Sequence, residues 1–128
     1  MKRKPRAELE ANPKTAVGAT KVPLHLVPAS SRHFLALAFE DGARKYGPFN
    51  WREKGVSALT YISAAARHAD AWVDGEDLSH DAHVHHLAHA MACFAIVLDA
   101  LTVGKLIDDR PAKGASARLQ REYVKRRK

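Results

Sequence analysis

Apolar residues recur at helical spacing in three stretches of the chain, and these predict its elements. The first begins at Ser30 or Ser31, either able to cap a helix, and carries Phe34, Leu35, Leu37, Ala38 and Phe39 toward residue 45, where Tyr46-Gly47-Pro48 ends it. In the second, Leu59, Ile62, Ala66, Ala69 and Val73 lie three or four residues apart, with Tyr61, Ala65, His68 and Trp72 as a neighbouring stripe, which predicts a helix over 57–74 with a broad buried arc. The third runs over 80–103 and is apolar nearly all round, with Ser79 to Asp81 as its expected start and Gly104 as its stop. A short terminal helix is expected around Leu119 to Val124, and no strand pattern stands out. The expected fold class is therefore all-α, a small bundle of three main helices.

A helix that is apolar on most sides belongs in the centre of a bundle or against another subunit, so self-association into a homo-oligomer is expected. At 128 residues the chain fits one small domain of the usual ~100–150 residues. The organisation read from it is a flexible basic arm over 1–20, a helical domain over 21–106 and a basic tail over 107–128. The longest apolar run, Ala90 to Val103, is broken by Asp99 and falls short of the ~20 residues of a membrane span, so no membrane is expected as a partner. A single Cys, Cys93, excludes an internal disulfide framework and fits the reducing cytoplasm.

Charge changes this picture because it is unevenly placed. The formal net charge is +7, yet residues 1–21 hold six Lys or Arg against two Glu and residues 101–128 hold nine basic groups against three acidic ones. The central part is acidic. Both basic ends are expected to be less ordered, and both suit weak, salt-sensitive contact with nucleic acid. An alternative function follows from this alone: a non-catalytic accessory protein that binds nucleic acid through its ends.

The candidate chemistry is concentrated in histidines and one loop. Five of the eight histidines fall between residues 80 and 89. On a helix His86 and His89 are i, i+3 neighbours and His85 and His89 are i, i+4, so either pair has chelating spacing; packing histidines remain the plainer alternative. His68 lies beside the apolar arc of the second helix and faces the interior that His86 and His89 reach from the third, so these three are the candidate catalytic residues. Two helices joined by a short turn at Gly75 to Ser79 pack antiparallel and place His68 and His86 at similar heights. Carboxylate oxygens for a metal are expected from Glu76, Asp77 or Asp81, together with His86 and His89. The loop over 45–52 reads as an anion site, with Lys45, Asn50 and Arg52 held by the aromatic anchors Tyr46 and Trp51. No phosphate-binding Gly-rich loop, Rossmann fingerprint, nucleophile elbow or Cys-His-Asn set is present, which leaves covalent nucleophilic catalysis without support.

Four blocks taken in order carry a resemblance. Lys21-x-Pro-Leu-His-Leu-Val-Pro28, Gly42-Ala-x-Lys45-Tyr46-Gly47-x-x-Asn50-Trp51-Arg52, Ala66-Arg67-His68-x3-Trp72-x2-Gly75-Glu76-Asp77 and His86-Leu87-Ala88-His89-Ala90 resemble the small, often phage-encoded dATP/dGTP diphosphohydrolase N-terminal domain family. The resemblance covers residues 21 to about 101. It implies a fold similar to the all-α MazG-like pyrophosphohydrolases and hydrolysis of a purine deoxynucleoside triphosphate to monophosphate and pyrophosphate. It also implies Mg²⁺ or Mn²⁺ as cofactor, neutralising the triphosphate and orienting a water toward the α-phosphorus. The chain departs from the MazG-like pattern in one respect. Those enzymes carry Glu-x-x-Glu and Glu-x-x-Asp on successive helices, whereas here His86-x-x-His89 stands in the comparable place. Such ligation would favour Mn²⁺ over the harder Mg²⁺, or leave the histidines to substrate.

Overall fold

The computed structural model describes residues 3, 5 and 11–128. The chain divides into two compact units, the second beginning at Phe34. Most of the first ten residues of the expected arm lie outside the described part. The described part of the arm carries one short helix, and a single turn follows the arm. Asn12 caps a short helix α1 (Pro13–Gly18) by accepting the Lys14 amide at 2.9 Å, with Pro13 in the first turn where its missing N–H costs nothing, and Leu24–Leu26 forms one 3₁₀ turn.

Helix α2 spans Ala29–Tyr46, and its part beyond His33 enters the second unit. There follow one short turn of helix, α3 (Trp51–Lys54), strand β1 (Val56–Ser57), helix α4 (Ala58–Val73), helix α5 (His86–Thr102), strand β2 (Leu106–Ile107) and helix α6 (Ser116–Arg127). The protein is mostly helical. The terminal helix expected around Leu119 to Val124 is present as the longer α6, in an end otherwise expected to be less ordered, with Arg118 paired to Glu122 one turn on at 3.0 Å.

Two short strands interrupt the helices among the described residues. They pair in parallel, Val56 with Leu106 and Ser57 with Ile107. Gly55 makes this possible: its φ is +81° and a Cβ there would stand 3.4 Å from the Lys105 carbonyl oxygen. Just past β2, Asp109 accepts from the Leu59 amide at 2.9 Å and from the Ser57 hydroxyl at 2.5 Å. A carboxylate from the far end of the domain thus caps the start of α4, where orphan amides and the helix dipole favour negative charge.

Helices α4 and α5 pack against each other more extensively than any other pair. Small buried residues permit it: Ala65 on α4 and Ala88, Ala90, Ala92 and Ala100 on α5. Two apolar clusters flank this seam. One joins Ala38, Val84, Ala88 and Ala92; the other joins Trp51, Val56 and Ala100, and Phe39 packs on both.

The third helix starts six residues later than its apolar pattern suggests. Residues 78–85 form a closed loop instead, bridged between Leu78 and His85, with the Ser79 amide donating to the Val84 carbonyl at 2.8 Å and the Ser79 hydroxyl accepting from the Val84 amide at 3.3 Å. His83 takes a left-handed conformation there (φ +54°), which no helix continues through. The cap of α5 is His85, whose Nδ1 accepts the Leu87 amide at 3.0 Å. His85 is thereby committed to the backbone, and its expected i, i+4 pairing with His89 on a helix face does not exist.

Candidate functional site

The histidines on α4 and α5 meet at the ends nearest the loop 74–85. Gly75, at φ +103°, lets the chain turn back at the end of α4 so that the Glu76 amide donates to the Ala71 carbonyl at 3.0 Å. The Asp77 carbonyl then accepts the His86 amide at 2.9 Å, which fixes the first residue of α5 beside the last turns of α4. His68 Nδ1 stands 2.8 Å from His86 Nδ1, and His86 Nε2 stands 2.8 Å from Glu76 Oε1. The His89 ring stacks on His68 at 4.7 Å, with Nε2 3.2 Å from the Ser79 hydroxyl.

Environment sets the charge of these groups. Burial, then the neighbouring rings, hold His68 below the usual imidazole range, and burial does the same for His89. The bond from His86 lowers the Glu76 carboxyl below the usual carboxylate range. The cluster is therefore a neutral pair of partly buried rings next to an ionised carboxylate at its edge.

His68 and His89 form part of the wall of a cavity of about 840 Å³ between α2, the 47–51 turn, α4 and α5. Lys45, Tyr46, Asn50 and Trp51 also line it, as do Asp41, Phe49, Tyr61, Asp81 and Asp99, of which sequence patterning had singled out only Asp81. The Lys45 ammonium lies 2.8 Å from Asp81 and 3.0 Å from the buried Asp41. It holds the Asp81 carboxyl down at about 2. Phe49, at φ +56°, packs on Trp51 with ring centroids 5.4 Å apart, so the turn presents aromatic faces to the cavity.

Arg52 does not share that space. Its guanidinium grips Asp99 with Nε at 2.8 Å and Nη2 at 2.9 Å, lies over the Phe49 ring, and is not part of the cavity wall. The Trp51 indole N–H donates to the same carboxylate at 2.7 Å, and the two donors hold Asp99 down at about 2. The fork expected to take phosphate oxygens is already filled by a carboxylate.

The five side chains expected to share a metal do not converge either. Both ring nitrogens of His86 have protein partners, Asp81 is paired to Lys45, and Asp77 meets the cluster through its backbone carbonyl. Among the described residues no three His, Cys, Asp or Glu side chains are arranged to hold a metal ion. A preformed cage of protein ligands does not fit this donor set.

The sequence model of one family, described as dATP/dGTP diphosphohydrolase, N-terminal, matches residues 11–110. The chain belongs to that family. The dATP/dGTP diphosphohydrolase match contains α1 to α5, both strands, the Asp109 cap and every cavity residue named above. No curated protein and no solved structure matches the chain. No described helix is long and apolar enough to cross a membrane.

Proposed function

We propose that the chain hydrolyses a purine deoxynucleoside triphosphate, dATP or dGTP, to the monophosphate and pyrophosphate within a MazG-like helical bundle. The observation that carries this reading is the cavity, in a chain of the diphosphohydrolase family. Its volume lies within the roughly 300–1,000 Å³ of small-molecule sites, and its lining combines two kinds of chemistry. Tyr46, Phe49, Asn50 and Trp51 offer ring faces and an amide suited to a base, whereas Lys45 supplies a cation for the phosphates and His68 and His89, with His86 bonded behind His68, the groups that handle a proton. The substrate is taken as its Mg²⁺ or Mn²⁺ complex. Mg²⁺ in such sites is commonly held by one or two carboxylates and the phosphates themselves, and in this reading the ion arrives with the nucleotide. The free Cys93, whose thiol burial pushes up, suits work in a reducing cytoplasm.

A panel of ribo- and deoxynucleoside triphosphates with Mg²⁺ or Mn²⁺, scored by released pyrophosphate, tests the reading. Release is expected from dATP or dGTP. No release from any member would return the chain to the accessory-protein reading, in which DNA binding weakens with salt and is lost on deleting residues 110–128.

We also propose that copies of the chain associate through α5. Phe94, Leu98 and Leu101 repeat along one side of it and are 49%, 63% and 62% exposed, a row of large apolar side chains that water disfavours. Light scattering at micromolar concentration should give a mass above one chain; a compact monomer would contradict this.

A further inference from the structure

The contacts around His68 join three side chains in one line of hydrogen bonds. Glu76 is ionised near neutral pH, and a carboxylate only accepts. His86 Nε2, 2.8 Å away, therefore donates to it. Taken as the neutral imidazole, His86 carries that one N–H and its Nδ1 is left with a bare lone pair, whereas an imidazolium at His86 would reverse the order. His68 Nδ1 lies 2.8 Å from that lone pair and must be the donor, which leaves the lone pair of His68 at Nε2. No described residue bonds to His68 Nε2, and no buried side-chain nitrogen or oxygen among the described residues lacks a partner, so this atom reaches solvent. The His68 ring belongs to the cavity wall.

We infer that Glu76 and His86 are positioning residues that hold His68 as the proton acceptor of the cavity, with Nε2 as the accepting atom. The inference rests on the hydrolytic reading above for the identity of the proton's donor, the water that attacks the nucleotide. In that step a lone pair of the water oxygen forms the new bond to the α-phosphorus while the water proton passes to His68 Nε2. The bond from the α-phosphorus to the bridging oxygen breaks, and its electron pair leaves with pyrophosphate. His68 becomes an imidazolium whose Nδ1–H still points at His86, with the Glu76 charge at the far end of the chain. The proton then returns to solvent. Neighbours and burial that disfavour charge on His68 keep it neutral before the step, as a base must be.

This order assigns Glu76 and His86 work that a metal ligand cannot share. It also explains the two ring nitrogens facing each other, since Nδ1 to Nδ1 contact is attractive only when one is protonated and the other is not.

The test is a long-range ¹H–¹⁵N correlation spectrum of the full chain with ¹⁵N-labelled histidine at neutral pH, read together with pyrophosphate release. The expected result is His86 protonated at Nε2 and His68 protonated at Nδ1 alone. Glu76→Gln can donate as well as accept, so the His68 signals should split between tautomers and kcat should fall about tenfold. KM for the triphosphate should stay within about twofold, because Glu76 acts on the base and not on binding. His68 protonated at Nε2 in the wild-type chain would overturn the inference whether or not the variant folds. An unchanged kcat in folded Glu76→Gln would overturn it as well. The expected tautomers in a chain that releases no pyrophosphate would instead overturn the hydrolytic reading and leave the proton order standing.

Discussion

Replacing Trp51 by alanine should destabilise the protein by about 3–5 kcal/mol, the usual cost of emptying a buried aromatic site. Trp51 is only 7% exposed and sits where three parts of the chain meet. It packs with Val56 of β1 and Ala100 of α5, its ring lies 5.6 Å from Phe39 of α2 and 5.4 Å from Phe49, and its N–H is bonded to Asp99. Ala100 is fully buried and cannot move to fill the void, because β2 and its pairing to β1 follow directly from the end of α5. Urea unfolding should show a lower midpoint at an unchanged slope. Trp51→Phe keeps most of the packing and removes only the bond to Asp99, so it should lose much less. A loss under about 1 kcal/mol in the alanine variant would mean that this cluster is not a core.

Much of this core was legible from spacing. Helix α4 falls within one residue of its expected limits at either end, because apolar residues every three or four positions and the Asp74-Gly75 stop agree with each other. The start of α5 was not legible, since Ser79 and Asp81 have the chemistry of caps. What defeats them is the Ser79 side chain, which closes a loop with Val84, and the left-handed His83. The two-residue strands carry no period at all, and their pairing joins residues about fifty positions apart.

The site was legible in its residue types more than in its partnerships. The expectation that His68 and His86 lie at similar heights assumed a short turn, but the connection runs from Asp74 to His85 and His86 opens α5. The two rings meet because the Asp77 carbonyl and Glu76 tie the first turn of α5 back onto α4. For Arg52, composition offered a cation in a loop of the right kind. Its engagement by Asp99, forty-seven residues on, is a tertiary fact that no local pattern encodes. Asp41 escaped notice for a related reason: it follows Glu40 in what reads as a solvated acidic pair, yet the helix buries it beneath Lys45.

That placement makes Lys45 the cation on which nucleotide turnover should depend most. Arg52 is occupied by Asp99 and lies outside the cavity wall, whereas the Lys45 ammonium is in it, held by Asp41 and Asp81 from two elements. Lys45→Met keeps the length of the stem and removes the charge. Under the proposed function kcat/KM for the triphosphate should fall by roughly 10²-fold or more, the scale seen when a donor to developing phosphate charge is deleted. Lys45→Arg should recover part of it. The same variant has a signature independent of turnover. Lys45 holds the Asp81 carboxyl at about 2, below its unfolded value, so the pair stabilises the fold above the unfolded carboxylate range and loses that contribution as pH falls through about 2. Lys45→Met should therefore be less stable than the wild type near pH 6, and the difference should shrink as both are acidified. The Asp81 share of the effect will be small and salt-sensitive, since Asp81 is largely exposed, and loss of the ion pair to the buried Asp41 adds to it. In the variant the Asp81 carboxyl should move up toward the ordinary aspartate range by carbon NMR, still held below it by the Ala82 amide at 2.9 Å. Turnover within threefold of the wild type, with Asp81 shifted as described, would remove Lys45 from the phosphate site and leave it a latch between α2 and the loop that precedes α5.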